Sequence, residues 1–328
     1  MKILFSFLAL TLLSTNALAV DMKEVEKELT TSGVDGWIHG SVESQGLYVF
    51  TYRTPGNFFD YVEMSLVSYS PEMMKELGTY NRQDKVRVKG SFLPNPSPQK
   101  HILVSSIEMI TQYQTPYPTQ PYQHQAKIPD ELLTLTTATF LVHAIAGDGH
   151  ILVVEYKDSI LPIFVQNETF TKNLFRGDVV QLKFKVQSYP NQPVHLNLDE
   201  KDPQPLQVLE SIQAKHGKQG VVEGALILFP QSPEIKFNVF AVQEQLQAGL
   251  SRQYTLVNFD DPGLFQKIRD ALQKAWDQYP GAYVNGRNKL ISTHVRVKAT
   301  GTFNEIDPSQ ANPQVLLNSL DSLQIMVN

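Results

Sequence analysis

Five aromatic residues lie close together in two consecutive segments that alternate in the manner of β-strands. The segments are residues 47–53 and 59–67, and a Thr-Pro-Gly-Asn turn at 54–57 stands between them. If Arg53 and Phe58 are joined by a four-residue connection, the rings share one face and the aliphatic residues share the other. The aliphatic face is the better core, so the rings are predicted to face outward and to bind a ligand by stacking. The predicted ligand-binding residues are Tyr48, Phe50, Tyr52, Phe59 and Tyr61.

This assignment depends on the length of the connection. A loop of three or five residues would exchange the two faces, because successive side chains of a strand point in opposite directions. The rings would then form the core. In a further alternative the rings face outward but another domain covers them.

A row of cations forms a second candidate site. In the segment Asp-Lys-Val-Arg-Val-Lys-Gly at 84–90 the cations share one strand face and the valines share the other. Such a row is predicted to bind anionic groups. The alternative is a solvated strand face on which lysine discourages edge-to-edge pairing. The candidate anion-binding residues are Lys85, Arg87 and Lys89, and similar rows recur as Lys183 with Lys185 and as Arg296 with Lys298.

Patterns typical of catalysis or of cofactor and metal binding are absent from the sequence. No two histidines stand four residues apart, and there is neither a Gly-x-Ser-x-Gly elbow nor a glycine-rich phosphate loop. We therefore expect a protein without a catalytic site, cofactor or metal. His39, His143 and His294 fall in predicted strands, where a buried, hydrogen-bonded structural role is the simplest interpretation.

The elements that would carry these residues repeat along the chain. Each repeat reads as three strands, a helix and two strands, which predicts a mainly β protein of tandem five-stranded barrels. Ser70 and Pro71 mark the start of the helix in the first repeat. The helix of the third repeat is long, 262–279, and Asp261 is its predicted N-cap.

The opening strand Gly-Trp-Ile-His-Gly-Ser-Val at 36–42 and the segment 84–90 resemble those of exported bacterial OB-fold proteins. The resemblance is at the level of the fold. It implies five-stranded barrels with a helix between the third and fourth strands, and it implies no activity, because this fold carries many functions.

The domain prediction follows from the repeats and from the segments between them. A short helix at 20–33 precedes the first repeat, and a Pro-, Tyr- and Gln-rich spacer follows it at 111–130. The predicted barrels are unit 1 (34–110), unit 2 (131–214) and unit 3 (215–328).

The first 19 residues predict export. Lys2 precedes an apolar stretch, and Ala17-Leu18-Ala19 matches a signal-peptide cleavage site after Ala19. Cleavage removes one cation and takes the formal charge of the 328-residue chain from −5 to −6. The chain has no cysteine, so disulfides are excluded. These features predict a bacterial, periplasmic protein.

The predicted function is binding or scaffolding through the barrel surfaces. The expected partners are periplasmic proteins, peptides or cell-wall glycan, and the negative charge makes nucleic acid an unlikely partner. Two alternatives stay open. One is the binding of single-stranded nucleic acid through the aromatic and basic faces, and the other is a hydrolase with an unrecognised site.

Overall fold

The computed structural model describes most of the chain after the predicted signal peptide. The signal peptide and most of the spacer at 111–130 lie outside the described residues. The described residues are 20–42, 47–55, 61–94, 100–114, 128–146, 149–157, 159–188, 194–231, 237–283, 289–304 and 312–328.

Unit 1 is a closed barrel of five strands in the order β1-β2-β3-β5-β4. Neighbouring strands are antiparallel except β3 and β5, which are parallel, and α2 lies between β3 and β4 in the chain. This arrangement confirms the predicted OB-like fold. Its elements are α1 (Met22–Thr30), β1 (Val34–Val42), β2 (Leu47–Arg53), β3 (Tyr61–Val67), α2 (Pro71–Leu77), β4 (Lys85–Phe92) and β5 (His101–Thr111).

The local signals that position these elements are the expected ones. Ser70 caps α2 by accepting a hydrogen bond from the backbone N–H of Met73. Gly36 lets β1 approach β2 closely, because a Cβ there would lie 2.4 Å from the ring of Phe50. Val25 and Leu29 of α1 are buried in the core of the barrel.

Unit 2 repeats the same strand order. Its sheet runs β10-β8-β7-β6-β9, and β10 also pairs with β9, so the five strands close on themselves. β8 and β10 form the parallel pair, and a 3₁₀ turn at Glu168–Phe170 stands where α2 stands in unit 1. The strands are β6 (Thr137–Ala146), β7 (Ile151–Tyr156), β8 (Ser159–Phe164), β9 (Val179–Gln187), β10 (His195–Leu198) and β11 (Leu206–Glu210), which extends the sheet beside β9.

Unit 3 has the order β12-β13-β14-β17-β16, and β12 also pairs with β16. The long helix α3 lies between β14 and β16 in the chain, and Asp261 caps it as predicted. Trp276 and other apolar residues of α3 are buried in the core. The elements are β12 (Gln219–Phe229), β13 (Val239–Gln245), β14 (Ser251–Val257), α3 (Pro262–Gln278), β15 (Ala282–Tyr283), β16 (Leu290–Asn304), β17 (Gln314–Leu316) and β18 (Leu323–Val327).

Units 2 and 3 are joined through a buried arginine. Arg252 is completely buried, donates from Nε to the carbonyl of Gly177 at 2.8 Å and from Nη2 to Glu210 at 3.0 Å, and lies 3.5 Å from Glu244. Burial raises the pKa of the neighbouring Tyr254 to about 12, so its hydroxyl stays neutral beside the guanidinium. None of the described helices is long and apolar enough to cross a membrane.

Candidate ligand-binding face of unit 1

The register between β2 and β3 reverses the predicted faces of β2 and leaves those of β3 as predicted. Tyr48 lies opposite Leu66 and Phe50 opposite Met64, and all four side chains are buried. The prediction that Tyr48 and Phe50 face outward is therefore wrong. Arg53 lies opposite Tyr61, so the connection covers residues 54–60, an odd number. An odd connection exchanges the faces relative to the assumed four-residue turn.

The remaining predicted rings divide between the two faces. Tyr52 packs against the core, so it also does not face outward as predicted. Tyr61 is 40 % exposed and lies on the outside of β3. Phe59 lies outside the described residues. The proposed binding role is therefore removed from the buried rings and stays a prediction for Tyr61.

The outer surface of β1, β2, β3 and β4 has a different composition from the one predicted. The pairings place Trp37 beside Thr51, Thr51 beside Glu63, and Arg53 beside Tyr61. We call this surface the outer face of unit 1. Its residues are Asp35, Trp37, His39, Thr51, Arg53, Tyr61, Glu63, Lys85, Arg87 and Lys89, with Arg82 at its margin.

His39 occupies a β-bulge of β1. The register of β1 against β2 shifts between Ile38 and Gly40, so His39 is the extra residue and its side chain turns across the face. Its Nδ1 lies 3.2 Å from Oε1 of Glu63. Burial lowers the pKa of His39, although 40 % of the side chain is accessible, and so does the positive field of Arg82 and of His143 and Arg176 of unit 2. The imidazole is therefore neutral at pH 7.

Glu63 responds to the same environment in the opposite direction. Its side chain is only 15 % exposed, and burial raises its pKa, while the guanidinium groups of Arg82 and Arg53 oppose the increase. The centre of the face thus holds two guanidinium groups around one buried carboxyl.

The predicted basic row lies beside this centre. Lys85 stands 5.8 Å from the ring of Trp37, and Arg87 donates to Asp35 at 2.7 Å and 3.2 Å. Lys89 is exposed. These positions place the row on the outer face, and its anion-binding role stays a prediction.

A cavity of about 120 Å³ opens in the middle of the face. β1 contributes Trp37 and His39 to its wall, β2 contributes Thr51 and Arg53, and the loop ahead of β4 contributes Arg82 and Gln83. Gln83 has a φ of +72°, a left-handed conformation that non-glycine residues seldom adopt. Strained backbone of this kind is concentrated at functional sites.

The loop ahead of β4 is built in the same way in units 1 and 2. Asp84 accepts hydrogen bonds from the backbone of Asn81 at 2.7 Å and of Tyr113 at 2.9 Å. Asp178 accepts from Phe175 at 2.8 Å and from Ile212 at 2.7 Å. Each aspartate thus ties the start of the fourth strand to the chain that leaves the barrel. The corresponding tripeptides are Arg82-Gln83-Asp84 and Arg176-Gly177-Asp178.

Unit 3 covers the corresponding place in unit 2. Leu141 and Val179 are paired neighbours there, as Trp37 and Lys85 are in unit 1, and both pack against Leu250 of unit 3. The carbonyl of Gly177 accepts from Arg252, and Arg176 donates to Asn312 at 2.8 Å.

The other basic rows and histidines differ from expectation in their surroundings. Lys183 and Lys185 each contact an aspartate of their own, at 2.8 Å and 2.5 Å. His143 contacts Glu155 at 2.8 Å and is nearly buried, as predicted, whereas His294 is exposed, so its predicted burial is wrong. Among the described residues no group of three or more potential metal ligands comes together.

Sequence reasoning missed most of the cavity wall. Thr51, Arg53, Arg82 and Gln83 carry no pattern of their own, and for His39 the sequence predicts only a structural role. The repeated Arg-x-Asp tripeptide ahead of the fourth strand was the available signal. It marks a loop whose equivalent in unit 2 is an interdomain contact.

Comparison with known proteins finds only matches of low sequence identity and low TM-score. No family model and no curated protein matches. Matching solved structures include a murine DNA-binding protein bound with double-stranded DNA, at 9 % identity over 55 % of this chain and 99 % of that chain, with a TM-score of 0.19. Drosophila Unr CSD456 matches at 10 % identity over 90 % of this chain and 97 % of that chain, with a TM-score of 0.16. A multidomain protein with nucleic acid binding domains from Streptococcus pneumoniae matches at 11 % identity over 88 % of this chain and 74 % of that chain, with a TM-score of 0.15.

One expectation is corrected. Nucleic acid was predicted to be an unlikely partner from the net charge of the chain alone, and that prediction is withdrawn, because the net charge of a whole chain does not describe the charge of one face. The matching structures also include a protein bound with double-stranded DNA. At TM-scores this low the likenesses carry no argument about the ligand, which is argued below from the surface itself.

Proposed function

We propose that this protein is an exported, non-enzymatic binding protein, and that the outer face of unit 1 binds a single-stranded nucleic acid. The observation that carries the proposal is the alternation of cations with aromatic rings on the face that OB folds commonly use for ligands. The N-terminal signal supports export. The nucleic acid would then be met outside the cytoplasm.

The charge of the face supports an anionic ligand. Among the described residues of the face its cations outnumber the carboxylates, which are Asp35 and Glu63 with Glu108 of β5 opposite Arg87, although the chain as a whole carries −5. Phosphate neutralisation by clustered cations is the main source of affinity for a nucleic acid strand. The cations are Arg53, Arg82, Lys85, Arg87 and Lys89.

The rings of the face support stacking. Trp37 is half-buried and Tyr61 is exposed, so each presents part of a ring to a ligand. Lys85 lies over the first ring, and Arg53 lies 5.0 Å from the centre of the second. The ring of such a pair can stack on a base while the cation neutralises the adjoining phosphate. Stacking tolerates any base sequence.

The basic row of unit 2 lacks this surplus of charge. Lys183 pairs with Asp202 and Lys185 with Asp199. Paired cations release fewer counterions when a polyanion binds, so we expect this row to contribute little. It therefore provides a control with the same number of lysines on the fourth strand of its own barrel.

The test is fluorescence anisotropy of a labelled single-stranded oligonucleotide of roughly twelve nucleotides, titrated with the mature protein at several salt concentrations. The double variant Lys85→Ala/Lys89→Ala should weaken binding and reduce the slope of log K against log salt by about 1.4. Trp37→Leu should weaken binding by about 1–2 kcal/mol without that change of slope. Lys183→Ala/Lys185→Ala should change neither.

Two results would contradict the proposal. One is the absence of oligonucleotide binding at low salt by folded wild-type protein. The other is an equal loss of affinity in the unit 1 and unit 2 double variants, which would indicate general electrostatics rather than a site. If the protein instead binds an acidic peptide and no oligonucleotide, the face is a protein-binding surface. A hydrolysed oligonucleotide would refute the non-enzymatic part of the proposal.

A further inference from the structure

We infer that the cavity in the outer face of unit 1 is a subsite for a single phosphate group, with Thr51, Arg53 and Arg82 as its recognition residues. The inference rests on the proposed function only in assigning that phosphate to a nucleic acid strand. The subsite itself is argued from the cavity wall.

The size of the cavity selects a small group. Its volume of about 120 Å³ is somewhat below the roughly 150 Å³ of an engineered protein cavity that holds one benzene molecule. A phosphate fits such a space, whereas a complete nucleotide does not. The base and sugar would remain outside, against the exposed part of the face.

The hydroxyl of Thr51 supplies the second observation. Thr51 is only 5 % exposed, its side chain lines the cavity, and its Oγ1 has no hydrogen-bond partner within the described part of the chain. A buried hydroxyl without a partner is costly, so such groups usually serve a ligand or a strained site. An oxyanion in the cavity would accept the hydrogen bond.

The charges of the wall fit the same ligand. Arg53 and Arg82 both act on the buried carboxyl of Glu63, so two cations surround one acid. An oxyanion in the cavity would be attracted by the two guanidinium groups and would accept hydrogen bonds from them. His39 contacts Glu63 and is neutral at pH 7, which leaves the arginines as the cations of the wall.

The corresponding place in unit 2 holds protein contacts instead of a cavity. The position of Thr51 is taken there by Glu155, which pairs with His143 instead of remaining without a partner. The loop ahead of β9 contacts Arg252 and Asn312 of unit 3. The equivalent place in unit 2 is therefore used for domain contact, whereas in unit 1 it lines a cavity.

The experiment titrates the mature protein with inorganic phosphate and follows tryptophan fluorescence. The chain has two tryptophans, and Trp276 is buried in the core of unit 3, so a change reports Trp37 in the cavity wall. Thr51→Val keeps the shape and removes the hydroxyl. We expect it to weaken phosphate binding about ten-fold. Arg82→Gln should weaken it at least as much, and Lys183→Gln should leave it unchanged.

A thermal melt separates folding from binding. Thr51→Val removes a buried hydroxyl without a partner, so the variant should be as stable as the wild type or more stable. An absent phosphate response in the wild type overturns the subsite. So does an unchanged response in both folded variants, Thr51→Val and Arg82→Gln.

Oligonucleotides with and without a 5′-phosphate identify the source of the group. A terminal-phosphate subsite favours the phosphorylated strand, whereas a backbone subsite binds both equally, and Thr51→Val weakens binding in either case. A phosphate response without any oligonucleotide binding would refute the proposed function and leave the subsite standing. Oligonucleotide binding that Thr51→Val does not affect would refute the subsite alone.

Discussion

Units 1 and 2 place different side chains on the same backbone. In both, a histidine occupies the bulge of the first strand, and an Arg-x-Asp loop precedes the fourth. Where unit 1 has Trp37 beside Lys85, unit 2 has Leu141 beside Val179, and unit 3 covers this apolar pair. In unit 1 Trp37 of this pair instead lines a cavity whose wall includes Arg53 and Arg82.

The comparison separates residues that both barrels need for folding from residues that only the outer face of unit 1 carries. The aspartates, the bulge and the barrel order are common to both units, so they belong to the architecture. Thr51, Arg53 and the lysines of β4 belong to unit 1, so they are the candidates for ligand binding. A repeated domain thus identifies its own binding residues by where the copies differ.

The largest loss of unfolding free energy should come from disrupting the contact between units 2 and 3. Arg252→Ala removes a completely buried guanidinium from four partners, and we expect units 2 and 3 to lose about 3 kcal/mol of unfolding free energy. The measurement is denaturant unfolding. Arg87→Ala, which breaks an exposed pair with Asp35, is the control and should cost less than about 1 kcal/mol. Equal losses would mean that the unit 2–unit 3 contact does not depend on burial.

The shared aspartates should behave alike in the two units. Asp84→Ala and Asp178→Ala each leave two backbone N–H groups without an acceptor. Each should cost about 2–4 kcal/mol, and the asparagine variants should cost less because one acceptor remains. Chemical denaturation of the four variants checks this. A large effect in one unit and none in the other would show that the loops are not equivalent.

The bulge histidine makes the stability of unit 1 depend on pH. Because the pKa of His39 is lowered in the folded state, its contribution is present above the ordinary histidine pKa and is lost as the pH falls below it. His39→Gln should therefore reduce proton uptake on unfolding by about one between pH 6.5 and 5.

Unfolding free energies measured across this pH range provide the test. His101 and His195 also have pKa values lowered by burial, so the unfolding free energy of His39→Gln should still depend on pH. The exposed His294 is the control, and His294→Gln should leave the slope unchanged. A slope unaffected by His39→Gln would refute the assignment.

The smallest effect concerns the residue before each aspartate. Gln83 and Gly177 have φ values of +72° and +94°, a conformation in which a side chain is strained. Gln83→Gly should stabilise unit 1 by about 0.5–1 kcal/mol, measured as a higher melting temperature. Gly177→Ala should destabilise unit 2. If Gln83→Gly weakens phosphate binding while it stabilises the fold, the strained backbone of Gln83 serves to shape the phosphate-binding cavity.

Most of the fold could be predicted from the sequence. The repeated strand plan, the caps at Ser70 and Asp261, and the long helix follow from local patterns that tertiary contacts reinforce. Alternation also identified two opposite faces in β2 and β3. It could not assign them, because both faces are apolar enough to form a core and one residue in the connection decides between them.

The candidate site was predictable only in part. The row at Lys85, Arg87 and Lys89 was identified because it lies in one regular strand. Arg53, Arg82 and His39 come from three separate segments, and only barrel closure brings them together. Thr51 has no distinguishing pattern in the sequence, since its significance lies in a hydroxyl that the fold buries.

The hydrogen bonds that Asp84 and Asp178 accept from the backbone N–H groups of Tyr113 and Ile212 also have a mechanical consequence. In each barrel the chain departs just beyond the point where the aspartate holds it, at the start of the fourth strand. Tension on a connecting segment therefore reaches this hydrogen bond before it reaches the strand ladder. We expect each barrel to resist unzipping from its exit end, and a pulled chain to yield first in the connections between barrels.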